Sequence, residues 1–193
     1  MLALPPLTLA SASPRRASLL EQAGVPIEVR PVPCDETPLD HEGAVPYARR
    51  IAEAKLRAAL AVHPGRRILA ADTVVWIESS PTPLGKPADA DACAAMLERI
   101  GGPQGHSVTT AWALGCSEQD LEVHAETTRV WFRPLARHEL EAYLRTDAWR
   151  DKAGGYGIQA EAASWVTRLE GSYTNVVGLP VAQVVARLEA LAR

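Results

Sequence analysis

Leu7-Thr8-Leu9-Ala10-Ser11-Ala12-Ser13-Pro14-Arg15-Arg16, residues 7–16, reads as a strand, a turn and the start of a helix. Leu7 to Ala10 is apolar enough for a short buried strand. Ser13 suits an N-cap, and Pro14 fits the first helical position, where a missing N–H costs nothing. The free N–H groups of that helix point back at the turn, where two hydroxyls and two guanidiniums also gather. Such a turn suits an anion, above all a phosphate. The same residues also satisfy a plain reading, in which the serines only cap the helix and the arginines face water.

Outward from that turn the chain alternates strands and helices. After the first helix, ending near Gly24, Ile27 to Val32 reads as a strand. A loop rich in proline and acid follows (Pro33-Cys34-Asp35-Glu36-Thr37-Pro38). Pro46 to Val62 is amphipathic at helical spacing, with Ala48, Ile51, Ala52, Leu56, Ala59 and Leu60 on one side. Ile68 to Ile77 is almost continuously apolar and reads as a central strand. Ser79 to Pro83 reads as a turn, and Ala88 to Ile100 as a helix closed by Gly101-Gly102. His106 to Leu114 and Glu122 to Arg133 read as a hairpin of two long strands. A helix from Ala136 to Arg145, a flexible loop at Gly154-Gly155-Tyr156-Gly157, a strand from Ser164 to Leu169 and a helix from Val181 to Arg193 complete the pattern. The expected fold class is α/β: a mixed central β-sheet flanked by helices, with two lobes around a substrate cleft. With no repeat, linker or low-complexity tract, residues 1–193 read as a single domain.

Composition narrows the function. The chain has 193 residues, 47% of them hydrophobic, and a net charge of −3. That balance argues against a nucleic-acid or membrane-surface protein, which carries a basic excess. No apolar run spans a bilayer. Met1-Leu2-Ala3-Leu4-Pro5-Pro6 lacks the basic start of a signal peptide. Cys34, Cys93 and Cys116 are far apart and odd in number, so neither a disulfide framework nor a structural zinc site is expected, and a cytoplasmic location fits.

Asp72 is the sharpest single residue. A lone carboxylate inside Ile68-Leu69-Ala70-Ala71-Asp72-Thr73-Val74-Val75 would cost several kcal/mol, roughly, to bury unpaired. It must meet a cation, a metal or an open cleft; a purely structural pairing with an arginine is the plain alternative. Lys55 borders the apolar side of its helix, where a lysine either snorkels to water or turns inward. Lys86 follows Gly85, which lets backbone approach a ligand, and precedes Pro87, which stiffens the loop. This is not a phosphate-binding Walker loop, because that glycine spacing is absent. Gln159 both donates and accepts, which suits a nucleobase edge. The polar head of Ser172-Tyr173-Thr174-Asn175 either closes over a ligand or caps the last helix.

Ser11-Ala12-Ser13-Pro14-Arg15-Arg16, Asp35-Glu36-Thr37, Ala52-Glu53-Ala54-Lys55, Ala71-Asp72-Thr73-Val74-Val75, Gly85-Lys86-Pro87, Asp151-Lys152-Ala153-Gly154-Gly155-Tyr156-Gly157-Ile158-Gln159 and Gly171-Ser172-Tyr173 through Gly178-Leu179-Pro180 occur in this order. Together they resemble the Maf family of nucleotide pyrophosphatases, over nearly the whole chain. The resemblance implies the architecture shared by Maf and inosine-triphosphatase proteins, and hydrolysis of dTTP and UTP to the monophosphate and pyrophosphate. It makes Asp72 the catalytic acid–base residue and Arg15, Arg16, Lys55 and Lys86 the phosphate-facing cations. It makes Ser11 and Glu36 cleft residues, and Arg15, Thr73 and Gln159 the positions that sort substrates. Thr and Gln at the last two match the dTTP/UTP subfamily, whereas Gln and Glu there mark the 7-methyl-GTP one. It also implies a divalent cation, Mg²⁺ or Mn²⁺, and a homodimer. The sequence departs from the family at Asp147-Ala148-Trp149-Arg150, at Gly102 to His106, and after Gln159, where Ala160-Glu161 replaces glycine. Two alternatives stay open: a pyrophosphatase for 7-methyl-GTP or another modified purine, and a nucleotide-binding regulator of cell division that does not hydrolyse.

Overall fold

In the computed structural model residues 6–192 are described, and the signal-peptide reading of residues 1–5 lies outside them. The first strand, β1 (Leu7–Leu9), leads through the serine turn into α1 (Pro14–Gln22) and back to β2 (Ile27–Val29). The long amphipathic helix α2 (Ala44–Val62) delivers the chain to β3 (Ile68–Ile77). There follow β4 (Ser80–Leu84), α3 (Ala90–Ile100), the hairpin β5 (His106–Gly115) and β6 (Glu122–Phe132), and α4 (Arg137–Leu144). Two single-turn helical segments precede β7 (Val166–Glu170), and α5 (Tyr173–Val177) and α6 (Val181–Leu191) close the order.

The strands form one mixed sheet in the order β2-β1-β3-β5-β6-β7, with β4 added on β3. β1 runs parallel to β2 and β3, because helices cross over between them; β3, β5, β6 and β7 alternate direction. Every residue of β5 is buried, as expected of a strand in the middle of a covered sheet. The strand period of two sends alternate residues to opposite faces. Ile68, Ala70 and Val74 pack with Ala48, Ala52, Leu56 and Ala59 of α2, whose small side chains let helix and sheet approach closely. Leu69, Ala71 and Val75 face the other core, with Leu20 of α1, Leu97 of α3 and Val184 and Leu188 of α6.

The topology leaves a gap that positions the site. β1 pairs with β3 only through Ile68 and Leu69, and β4 pairs with it from Val75 onward. Among the described residues, no strand flanks β3 between these points on that side. The segment carrying Asp72 and Thr73 therefore presents its edge, and both of its faces, to an opening.

Four local expectations are corrected. Ser79 to Pro83 is mostly a strand, not a turn: β4 runs antiparallel to β3, and its prolines are tolerated because this is an edge position. The strand from Ile27 stops at Val29, since Pro31 and Pro33 cannot extend the ladder. Gly154 and Gly155 are buried in a packed single-turn helix, not in a flexible loop. Ser13 takes the N-cap position of α1, but its hydroxyl caps nothing; instead its N–H donates to Ser11 Oγ at 3.3 Å.

Candidate active site

A cleft of about 1080 Å³ opens at the gap beside β3, and Ser11, Arg15, Arg16, Glu36, Lys55, Asp72, Thr73, Lys86 and Gln159 all line it. These nine residues come from six separate regions of the chain. The fold thus brings these nine candidate residues together, while Ser172 to Asn175 stay out of the cleft lining.

On the α2 face of β3, Lys55 Nζ donates to Asp72 Oδ1 at 2.8 Å and lies 3.0 Å from Glu36 Oε1. Lys55 is one turn below Ile51 and one residue from Leu56, so the helix aims it at the sheet rather than at water. The buried carboxylate has its cation, and among the described residues no hydrogen bond reaches its other oxygen, Oδ2. The Glu36 loop is held against α2 from two sides. Tyr47 O–H donates to the Glu36 carbonyl at 2.9 Å, and Arg50 donates to the Thr37 carbonyl at 3.0 Å while gripping Glu42. Burial, with the charges of Asp72 and Glu36, pushes the Tyr47 pKa up to about 12, so its proton is always available to donate.

On the opposite face, Arg16 is buried. Its Nε donates to the Gly178 carbonyl at 2.8 Å, and its two terminal nitrogens donate to Ser11 Oγ and Thr73 Oγ1, each at 2.9 Å. Burial pulls the Arg16 pKa below its ordinary value, and the charge of Asp72 opposes that pull. Thr110 Oγ1 donates to the Asn175 carbonyl at 2.9 Å, so its own proton is committed. The 2.9 Å contact between Thr73 and Thr110 hydroxyls must then be donated by Thr73. A directional chain results: Arg16 to Thr73, Thr73 to Thr110, Thr110 to Asn175. Thr73 offers the cleft only an acceptor.

The remaining cations sit at the rim. Arg15 reaches Asp151 at 3.1 Å, and Lys152 reaches the other oxygen of Asp151 at 2.5 Å. Lys86 and Gln159 are exposed on the cleft lining. Because β4 doubles back along β3, the Gly85-Lys86 loop returns to the cleft, where the Gly85 carbonyl accepts from Gly154 N–H at 3.2 Å.

Sequence reasoning named Ser172 and Asn175 only as part of a polar head and missed Thr110 and Thr128, which with them hold this lining in place. Asn175 is fully buried; its amide accepts from Thr110 N–H and donates to the Val108 carbonyl and Thr128 Oγ1. The Ser172 hydroxyl caps α5 by accepting from Asn175 N–H, so the polar head of this segment caps and braces. Two threonines in the middle of the apolar β5, Thr109 and Thr110, were the signal available for this network.

A cleft of cations around a strand carboxylate, set in an α/β sheet of this order, defines a protein built to hold a phosphorylated ligand. The family profile described as Maf-like protein matches residues 6–191, and the chain belongs to the Maf family. It is 45% identical over 184 residues to a dTTP/UTP pyrophosphatase of Nitratidesulfovibrio vulgaris, covering 95% of this chain and 86% of that one. It is 46% identical over 185 residues to one of Alcanivorax borkumensis, covering 95% and 94%. Among solved structures it resembles the Staphylococcus aureus Ham1 protein, with a TM-score of 0.54 at 9% identity over 97% of this chain and all of that one. A HAM1 protein from Coxiella burnetii gives a TM-score of 0.51 at 17% identity, over 96% and 98%. These two likenesses concern the fold.

Among the described residues, no group of three or more His, Cys, Asp or Glu side chains is placed to enclose a metal. Two carboxylates, Glu36 and Asp72, meet at Lys55. A pair of this kind fits Mg²⁺ or Mn²⁺, hard cations that take one or two carboxylates and complete their shells with phosphate oxygens and water.

Proposed function

We propose that the protein is a nucleoside triphosphate pyrophosphatase that hydrolyses dTTP and UTP to the monophosphate and pyrophosphate. The observation that carries this reading is the Asp72 carboxylate, set at an unpaired strand edge and surrounded by cations from distant parts of the chain. Relatives at 45–46% identity that bear the name dTTP/UTP pyrophosphatase support it. The whole chain, residues 1–193, then acts as one catalytic domain.

In this mechanism Lys55 holds Asp72 by Oδ1, which leaves Oδ2 facing the attacking water. Asp72 takes a proton from that water as its oxygen bonds to the α-phosphorus. The bond from that phosphorus to the bridging oxygen breaks, and pyrophosphate leaves. Lys55, Lys86 and Arg15 face the phosphates and stabilise the growing negative charge. Arg16, bound by Ser11, Thr73 and Gly178, fixes the shape of the turn and contributes charge from behind it. Glu36 and Asp72 would hold a divalent cation, Mg²⁺ or Mn²⁺, which when bound neutralises phosphate charge.

Base choice falls to Gln159, Thr73 and Arg15. Thymine and uracil present carbonyl, N–H, carbonyl along one edge. A neutral amide supplies both a donor and an acceptor to that edge, the Thr73 oxygen accepts, and a guanidinium donates. A methylated guanine is cationic and would be served better by a carboxylate. The three cysteines are free thiols, which supports a reducing compartment such as the cytoplasm. No helix among the described residues is long and apolar enough to cross a membrane. A homodimer is the assembly this reading carries, to be checked by sedimentation.

The test is Asp72→Asn, which keeps size and removes the base. Turnover should fall about a hundred- to ten-thousand-fold, while calorimetry still detects nucleotide binding. Normal turnover in this variant would refute the role of Asp72.

A further inference from the structure

At the wall of the cleft lies a buried pair that the mechanism does not use: Tyr156 lines the cleft and His106 stands behind it. His106, at the start of β5, and Tyr156, in the Gly-rich segment, are both almost fully buried, and their side chains meet at 2.7 Å. His106 Nδ1 lies 3.1 Å from the Ile100 carbonyl, which can only accept, so the ring proton sits on Nδ1. Nε2 is then the acceptor, and the Tyr156 hydroxyl donates to it. Burial pulls the His106 pKa down to about 4, so the imidazole is neutral and these roles hold at neutral pH. Phe132 packs edge-on against both rings, with centroids 4.9 Å away in each case.

Three further ties converge on the same short segment. Tyr143 O–H donates to the Gly155 carbonyl at 3.1 Å. Gly154 N–H donates to the carbonyl of Gly85, the residue before Lys86. Gly154 itself has φ of +73° and stands so close to Val75 that an added Cβ would fall 2.9 Å from the valine methyl. The segment is therefore anchored to β3, to the Lys86 loop and to the aromatic core together. Gln159 is three residues beyond Tyr156, with buried Ile158 between them and the turn closed by Ala160 N–H to the Gly157 carbonyl.

We propose that the Tyr156–His106 hydrogen bond is a positioning pair that fixes where Gln159 stands in the cleft and so sets base discrimination. This rests on the reading that Gln159 faces the base. Neither residue of the pair need touch the nucleobase edge. Their effect passes through two residues of tightly packed backbone. Asp72 and Lys55 lie on β3 and α2, outside the segment, so loss of the bond falls on KM and on the ratio between bases more than on kcat.

The test compares UTP with CTP, which differ on the edge Gln159 would read. Tyr156→Phe keeps the ring and removes only the donor. It should raise KM for UTP about tenfold, lower the UTP-to-CTP ratio of kcat/KM by a similar factor, and reduce thermal stability because His106 Nε2 is left unsatisfied. Tyr156→Phe combined with His106→Leu removes both polar partners, a change that is near neutral for stability when shape is kept. Stability should then recover while the base ratio stays low. A merely structural pair would give recovery of both together, and that result overturns the proposal. Gln159→Ala serves as the reference. If it abolishes the preference and Tyr156→Phe leaves the ratio intact, positioning by Tyr156 is wrong. If Gln159→Ala itself leaves the ratio intact, the base-reading role of Gln159 fails and the positioning role falls with it.

Discussion

Asp72 and His106 illustrate two ways of burying a polar side chain. Asp72 is met directly by the Lys55 ammonium, at 2.8 Å, at the edge of an open cleft. His106 has no charged partner among the described residues: burial holds it neutral, with a carbonyl acceptor at one nitrogen and a hydroxyl donor at the other. A stability consequence follows for the histidine. Its pKa drops from an ordinary 6.5 to about 4 on folding, so below 6.5 the unfolded chain binds a proton that the folded one refuses. The contribution of neutral His106 is complete above pH 6.5 and is lost as pH falls toward 4, for a total of about 3 kcal/mol. Urea unfolding of the wild type should weaken by about 1.4 kcal/mol per pH unit through this window from His106 alone. His106→Gln, which does not titrate, should lack that share of the slope. Equal slopes for the two proteins would show that His106 is protonated in the native state.

At the scale of elements, the decisive unit is the segment from Asp151 to Gln159. The sequence shows its glycines but not that Gly154 and Gly155 are buried against Val75 and Cys93. Glycine spacing alone reads equally well as a loose loop or as a close approach, and only the packing partners separate the two. Gly154→Ala would place a Cβ at positive φ and against the Val75 methyls. It should cost about 2 kcal/mol of stability and lower kcat/KM, since the segment holds both the Lys86 loop and Gln159. A Gly154→Ala protein with wild-type melting temperature and activity would show the segment to be loose after all. The long elements were legible because their periodicity is strong: α2 and β3 fall where the apolar pattern places them, and the β5–β6 hairpin follows from two long strands around a polar turn. β4 was not legible, since Pro81 and Pro83 argue against a strand unless its edge position is known. The same limit applied to the site. Asp72, Lys55 and the two arginines stand out as charges in apolar or helix-start settings. Asn175, Thr110 and Tyr156 are ordinary in sequence and become informative only through their partners.

For the whole molecule, the sheet order explains why one cleft collects residues from positions 11 to 159. β1 is short and β4 joins late, so the middle of β3 is uncovered along one edge, and the turns at the ends of β1, β4 and the Asp151 segment crowd around it. Charge follows the same plan. The molecule is slightly acidic, at −3, yet the cleft concentrates Arg15, Arg16, Lys55, Lys86 and Lys152 against Glu36, Asp72 and Asp151. A local cation cluster on a negative protein favours small anions over polyanionic nucleic acid. The Maf family match over residues 6–191 agrees with this plan, and the Ham1 likeness agrees with the fold. The most direct measurement is pyrophosphate release by the purified protein with Mg²⁺ or Mn²⁺ across dTTP, UTP, CTP, the purine triphosphates and 7-methyl-GTP. The expected result is fastest release from dTTP and UTP, with the monophosphate as the other product. Fastest release from 7-methyl-GTP, or orthophosphate instead of pyrophosphate, would contradict it.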